Sequence, residues 1–313
     1  MVKGPVFLFP GQGSQAPGMA KDLHEHYGVV RDLFTMASDA CGRDMERLVF
    51  EGTDDELKAT ENAQPAIVLA SLAARAALAE EGIESAGAAG HSLGEYSAMV
   101  DAGVLGPEDA LRAVSARGRF MADAGAGIVA EKGEIGMAAV IGIGPEEVRR
   151  ALEGLDDVWS ANENGPDQVA IGGTKAGMDR AADALKAAGA KRIIPLKVSC
   201  PFHTPLMAEP AERMREFLAK IAFADPAKPV WSNVKAAPVA DGEEARALLV
   251  EQVVHPVRWA DLTASIAEAC PSVLFEVGPG KVLTGLWAKS GNGGTCMPAG
   301  SLDTIGAIDR IPA

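Results

Sequence analysis

Residues 83–103 read IESAGAAGHSLGEYSAMVDAG, and the five at their centre, Gly90-His91-Ser92-Leu93-Gly94, decide the fold. G-x-S-x-G is the pattern of a nucleophile elbow, a serine on a tight turn between a strand and a helix. The flanking glycines let the two backbones approach, and the amides at the start of the helix face the serine. Residues 93–102 have helical character, stopped by Gly103. Residues 83–90 must then be a strand, although their Gly and Ala content gives poor β propensity. A Gly-flanked serine that merely caps the helix is the plainer alternative, and local composition does not separate the two.

Outward from the elbow, strands alternate with helices. Val6–Phe9 is a short apolar run ended by Pro10-Gly11 and reads as a buried strand. Helices are expected around 19–37, 43–50, 66–81 (with Pro65 in the first turn) and 107–122. Residues 123–134, ADAGAGIVAEKG, mark a change in composition. Then come a strand at 135–143, a helix at 145–155, strands at 158–162 and 168–171, a helix at 174–188 and a strand at 191–198. This β-α-β-β-α-β order is the ferredoxin-like arrangement. Beyond it, helices are expected at 205–221, 242–252, 260–269 and from Lys281, with strands at 229–233 and 273–277. The tail from Ser290 has room for one short strand and one short helix. The pattern is α/β: a mainly parallel sheet with helices on both faces in residues 1–127 and 199–313, and a small subdomain inserted at 128–198.

Composition narrows the function classes. The chain has 313 residues with 48% hydrophobic and 23% charged side chains, an ordinary globular balance. Its formal net charge of −14 disfavours binding to nucleic acid or to an anionic membrane. No run approaches a membrane span or a signal-peptide core, so a soluble, cytoplasmic protein is expected. The four cysteines, Cys41, Cys200, Cys270 and Cys296, are too widely spaced for a zinc knuckle or a disulfide framework, and no metal site is expected.

A serine nucleophile needs a base. Of the five histidines, His24 and His26 lie on a polar helix and read as exposed. His255 reads as a loop residue, and His91 is expected to point away from Ser92 across the turn. His203, in VSCPFHTPLM directly after a strand, is the best base, because pockets form at strand ends in α/β sheets. A lone buried imidazole with no catalytic role remains the alternative for any of them.

Several further segments resemble one family. FPGQGSQ (9–15), GHSLGEYSA (90–98), SARGRFM around Arg117 and the His203 segment are similar to the malonyl-CoA:acyl-carrier-protein transacylases of bacterial fatty acid synthesis, and to the acyltransferase domains of polyketide synthases. ENAQPAIV (61–68), QVAIGG (168–173), HPVRW (255–259) and EVGPGKVLTGL (276–286) match in kind and order, leaving only the tail after about Ser290 outside. The resemblance implies an α/β-hydrolase-like large subdomain with an inserted ferredoxin-like one. It implies Ser92 as the acyl-accepting nucleophile, His203 as its base, and the backbone amides of Gln12 and Leu93 as the oxyanion hole. Arg117 would bind the malonyl carboxylate, Gln252 would orient His203 through its backbone carbonyl, and Gln64 would support the pocket. Phe202, just before the base, implies malonyl over methylmalonyl. No bound cofactor is implied, since malonyl-CoA is a substrate. The expected partner is a phosphopantetheinylated acyl carrier protein, and the expected state a monomer. Rival readings are a trans-acting polyketide acyltransferase, a serine thioesterase or hydrolase on the same scaffold, and a non-catalytic carrier-binding protein. CoA and an acidic carrier are both anionic, so a basic rim drawn from Arg117, Arg119, Lys191, Arg192, Lys197 and Lys281 is expected near the cleft.

Overall fold

Val6–Phe9 forms a strand (β1) buried on both sides. Phe7 and Phe9 pack into one hydrophobic cluster, and Val6 and Leu8 into another, as alternation along a central strand requires. The computed structural model describes residues 2–269 and 271–308, so Met1, Cys270 and residues 309–313 lie outside the description.

After β1 come α1 (Lys21–His26), α2 (Gly28–Cys41), α3 (Met45–Glu51), α4 (Asp54–Lys58) and α5 (Thr60–Glu80). The elbow joins β2 (Gly87–Gly90) to α6 (Gly94–Asp101), and α7 (Pro107–Lys132) follows. Next are β3 (Ile135–Ile141), α8 (Pro145–Leu152), β4 (Val158–Gly165), β5 (Gln168–Thr174), α9 (Lys175–Ala187) and β6 (Arg192–Pro195). A single 3-10 turn at Pro205–Met207 leads into α10 (Ala208–Leu218), then β7 (Val230–Trp231), α11 (Gly242–Glu251), α12 (Trp259–Glu268) and β8 (Leu274–Glu276). The described chain closes with α13 (Val282–Ser290), β9 (Cys296–Pro298) and α14 (Leu302–Gly306), the short strand and short helix expected of the tail.

The strands form two sheets. One is five-stranded in the order β7-β2-β1-β8-β9, and every pairing in it is parallel. The other is four-stranded in the order β4-β5-β3-β6 with every pairing antiparallel, and α8 and α9 pack on it through their own small core. That order with that connectivity is the ferredoxin-like arrangement. The edge strand β4 also hydrogen-bonds to the large subdomain. Val257 N donates to Ala161 O at 2.9 Å, and Glu163 N donates to Val257 O at 2.8 Å.

Three expectations need correction. The helix begun at Pro107 does not stop near 122 but runs through the Gly-rich stretch to Lys132. Gly125 stays inside it because Cys200 packs there, and a Cβ would lie 2.4 Å from the Cys200 sulfur. Pro65 is not in a first turn, since α5 begins at Thr60. The Glu61 carbonyl that Pro65 cannot bond accepts from Arg43 Nη1 at 3.4 Å. The helical pattern over 19–37 is divided at Tyr27, whose extended backbone separates α1 from α2. By contrast, β2 forms in spite of its composition. Its side chains must be small, because Trp231 packs against Gly87 and α6 against Gly90.

Candidate active site

Ser92 lies between the last residue of β2 and the first of α6, with φ 51° in the left-handed region. A Cβ on Gly90 would lie 1.9 Å from the Gly94 carbonyl carbon, and one on Gly94 would lie 2.0 Å from the Phe9 carbonyl oxygen. Both positions therefore require glycine, and the close approach holds the serine in its turn. Asn233, just beyond β7, ties the turn down. Ser92 N donates to Asn233 Oδ1 at 2.6 Å, and Asn233 Nδ2 donates to Gly90 O at 2.6 Å. Sequence reasoning passed over Asn233; its signal is a polar side chain at the C-terminal end of the strand that neighbours β2.

His203 also has a left-handed backbone, φ 60°, in the loop between β6 and the 3-10 turn. Ser92 Oγ and His203 Nε2 are 2.6 Å apart, and His203 Nδ1 is 2.7 Å from the Gln252 backbone oxygen. A carbonyl oxygen can only accept, so Nδ1 carries the proton and Nε2 accepts from the serine hydroxyl. Burial, and then the charge of Arg117, push the His203 pKa down to about 3, which keeps the imidazole neutral and able to take a proton.

Arg117 comes from the middle of α7 and is only 2% exposed. Its Nη1 donates to Gln64 Oε1 at 2.9 Å and its Nη2 to Gln252 Oε1 at 3.0 Å. Its Nε is buried with no hydrogen-bond partner among the described residues. A guanidinium held by two neutral amide oxygens, with N–H bonds left over, suits a carboxylate ligand. Arg117 is therefore not part of a surface rim. The other five cations expected at the rim are exposed, and no ion pair engages them among the described residues. Lys197 stands between Leu196 and Val198, both of which line the cavity beside Ser92.

That cavity has a volume of about 110 Å³. Gln12, Ser92, Leu93, Arg117, Phe202 and His203 line it together, while Gln64 and Gln252 stand behind Arg117. Among the described residues, the backbone N–H groups of Gln12 and Leu93 donate to no other group. Met137, Asn162, Leu196 and Val198 of the small subdomain line the cavity too. His91 is among the lining residues, but its ring serves packing. It packs on Trp259 with ring centroids 5.2 Å apart, and its Nε2 is 2.8 Å from Asn164 Oδ1. His24 is not a free surface residue, since its ring packs edge-on against Phe34 and Phe50. No group of three or more His, Cys, Asp or Glu among the described residues is arranged to hold a metal ion.

The model of the acyl transferase domain matches residues 6–301, past Ser290, where the resemblance was expected to end. This chain belongs to the acyl transferase family. Among its curated relatives in that family, the malonyl CoA-acyl carrier protein transacylase of Escherichia coli (strain K12) is 43% identical over 285 residues, covering 90% of this chain and 91% of the relative. The transacylase of the same name from Bacillus subtilis (strain 168) is 40% identical over 288 residues, covering 91% and 89%. Among solved acyl transferase structures, the malonyl CoA-acyl carrier protein transacylase of Coxiella burnetii superposes with a TM-score of 0.93 at 35% identity, covering 100% of this chain and 99% of that one. A malonyl-transacylase solved in complex with its type II polyketide acyl-carrier protein superposes with a TM-score of 0.91 at 39% identity, covering 97% and 98%.

Proposed function

We propose that this acyl transferase moves the malonyl group from malonyl-CoA to the phosphopantetheine thiol of an acyl carrier protein, supplying malonyl units for fatty acid synthesis. The observation that carries the reading is a Ser92–His203 pair at hydrogen-bonding distance beside a buried arginine that has no carboxylate partner of its own. In the first half-reaction His203 Nε2 takes the Ser92 proton as Oγ attacks the thioester carbonyl. The oxyanion is held by the N–H groups of Gln12 and Leu93, and CoA leaves as its thiol with the proton from His203. In the second, the carrier thiol gives its proton to His203 and attacks malonyl-Ser92, which restores the serine. Arg117 binds the free malonyl carboxylate throughout, and Phe202 crowds the carbon that carries the branch in methylmalonyl. One methyl group is worth only about 1–3 kcal/mol, so Phe202 biases the choice without fixing it. The chemistry calls for no metal and no bound cofactor.

Residues 128–198 are read here as a subdomain that walls the acyl cavity, inserted into a catalytic unit of 1–127 and 199–313. The working form is read as a cytoplasmic monomer. No helix among the described residues is long and apolar enough to cross a membrane. The decisive experiment is intact mass after brief exposure to malonyl-CoA, with and without carrier protein. The wild-type chain should gain one malonyl group and pass it to the carrier, and Ser92→Ala should gain none. Rapid release of free malonate without carrier loading would replace this reading with a thioesterase, and a chain that never acylates would be a carrier-binding protein.

A further inference from the structure

We propose that Glu95 is a positioning residue: it sets the direction of the Gln252 side-chain amide, and through that amide the orientation of Arg117 toward the acyl carboxylate. The inference rests on the malonyl-transfer reading. Glu95 lies on α6 beyond the elbow, is fully buried, and does not line the cavity. Its Oε1 accepts from the Asn233 backbone N–H at 3.2 Å, and its Oε2 accepts from Gln252 Nε2. Gln252 Nε2 also donates to the Ser92 carbonyl at 2.9 Å. With both amide protons committed on that side, Gln252 Oε1 is turned toward Arg117 Nη2 at 3.0 Å.

The reversed amide would set NH2 against the guanidinium, donor facing donor, and would turn an oxygen toward the Glu95 carboxylate. Each buried polar group left unmatched costs about 1–3 kcal/mol, so the two mismatches together fix the amide. A carboxylate suits this place, because each of its oxygens accepts from an N–H donor. Glutamine at this position would present an NH2 to one of them. Gln252 thus does two jobs from one residue: its backbone oxygen holds the His203 ring, and its side chain, aligned by Glu95, holds the arginine. Gln64, the other partner of Arg117, is also neutral, so Glu95 is the carboxylate that faces the buried arginine's charge, one side chain removed.

The test is the rate of acyl-serine formation by intact mass, on the full chain, with malonyl-CoA and acetyl-CoA. Glu95→Gln should lower malonyl-serine formation about tenfold more than acetyl-serine formation, and Arg117→Ala should erase that difference, because coupled residues are non-additive. Glu95→Asp keeps the charge but is one methylene shorter; it should shift the ratio the same way by less, and it stands in if Glu95→Gln does not accumulate folded. An unchanged malonyl-to-acetyl ratio in a folded Glu95 variant overturns the inference. So does a shift that persists undiminished in the Arg117→Ala background. A wild-type chain that forms no malonyl-serine overturns the transfer reading itself.

Discussion

Arg117 is buried without an acidic partner in direct contact, so its charge is available to a substrate that brings one. Arg117→Ala should cut malonyl-serine formation by roughly 100-fold or more, as expected for losing a bidentate charged contact, while acetyl transfer is nearly spared. An equal fall for both acyl groups, followed by mass, would remove Arg117 from carboxylate binding. The pH response belongs to this scale too. Burial raises the Glu95 pKa to about 7, against the pull of its hydrogen bonds to Gln252, the Asn233 backbone and the Ser232 side chain and of the Arg117 charge. The aligned form is the carboxylate, since a proton on the oxygen that faces Gln252 Nε2 would set donor against donor. Malonyl transfer should therefore rise with pH through about 7 as Glu95 ionises. His203, neutral down to about 3, adds no acid limb above that. A rate profile of Glu95→Gln tests the assignment: the limb near 7 should vanish, and its survival would assign it to another group.

The elbow depends on elements that touch backbone to backbone. Gly94→Ala would drive a Cβ into the Phe9 carbonyl at 2.0 Å and push α6 away from β1. Strained overpacking of this kind should cost about 3 kcal/mol or more, read as a fall in the urea midpoint; a melt unchanged from wild type would mean the turn relaxes freely. At the other end of α6, buried Asp101 joins Arg75 Nε at 3.0 Å, Lys228 Nζ at 3.6 Å and the Ser85 hydroxyl. Asp101→Ala should cost about 2–3 kcal/mol, because it leaves two partly buried cations uncompensated, and chemical denaturation measures it. These elements also show what was legible in advance. β1 announced itself because a run of four apolar residues has no plausible place but a core. The elbow was legible only jointly, because Gly90–Gly94 alone left a helix-capping serine open until the segments at 9–15, around Arg117 and around His203 fell in the same order. The length of α7 was not, because Gly125 looks like a helix breaker until Cys200 is seen packed against it. Nor were Asn233 and Glu95, whose value lies in contacts with residues far along the chain, which no local pattern reports. Arg117 was singled out as a carboxylate ligand yet also counted as a rim cation, since sequence does not show which face of a helix is buried.

The whole molecule carries a formal net charge of −14 and is expected to meet two anionic partners. Long-range repulsion opposes the encounter, so cations beside the opening must act locally. Lys197 is exposed and stands in sequence between two residues of the cavity wall. Lys197→Glu should slow acylation by malonyl-CoA roughly fivefold at low ionic strength, and the gap should close as salt screens it. A gap insensitive to salt in stopped-flow traces would mean that Lys197 acts by shape instead of charge. At this scale the cavity is also a shared construction. The large sheet and its loops supply Ser92 and His203, whereas Met137, Leu196 and Val198 reach in from the small subdomain. Acyl fit is therefore shared, since Arg117 and Phe202 line the same cavity from outside the small subdomain. An engineer seeking a wider acyl repertoire can vary Met137, Leu196 and Val198 one at a time on the small subdomain's share of the wall and leave the reacting pair and Arg117 where they stand.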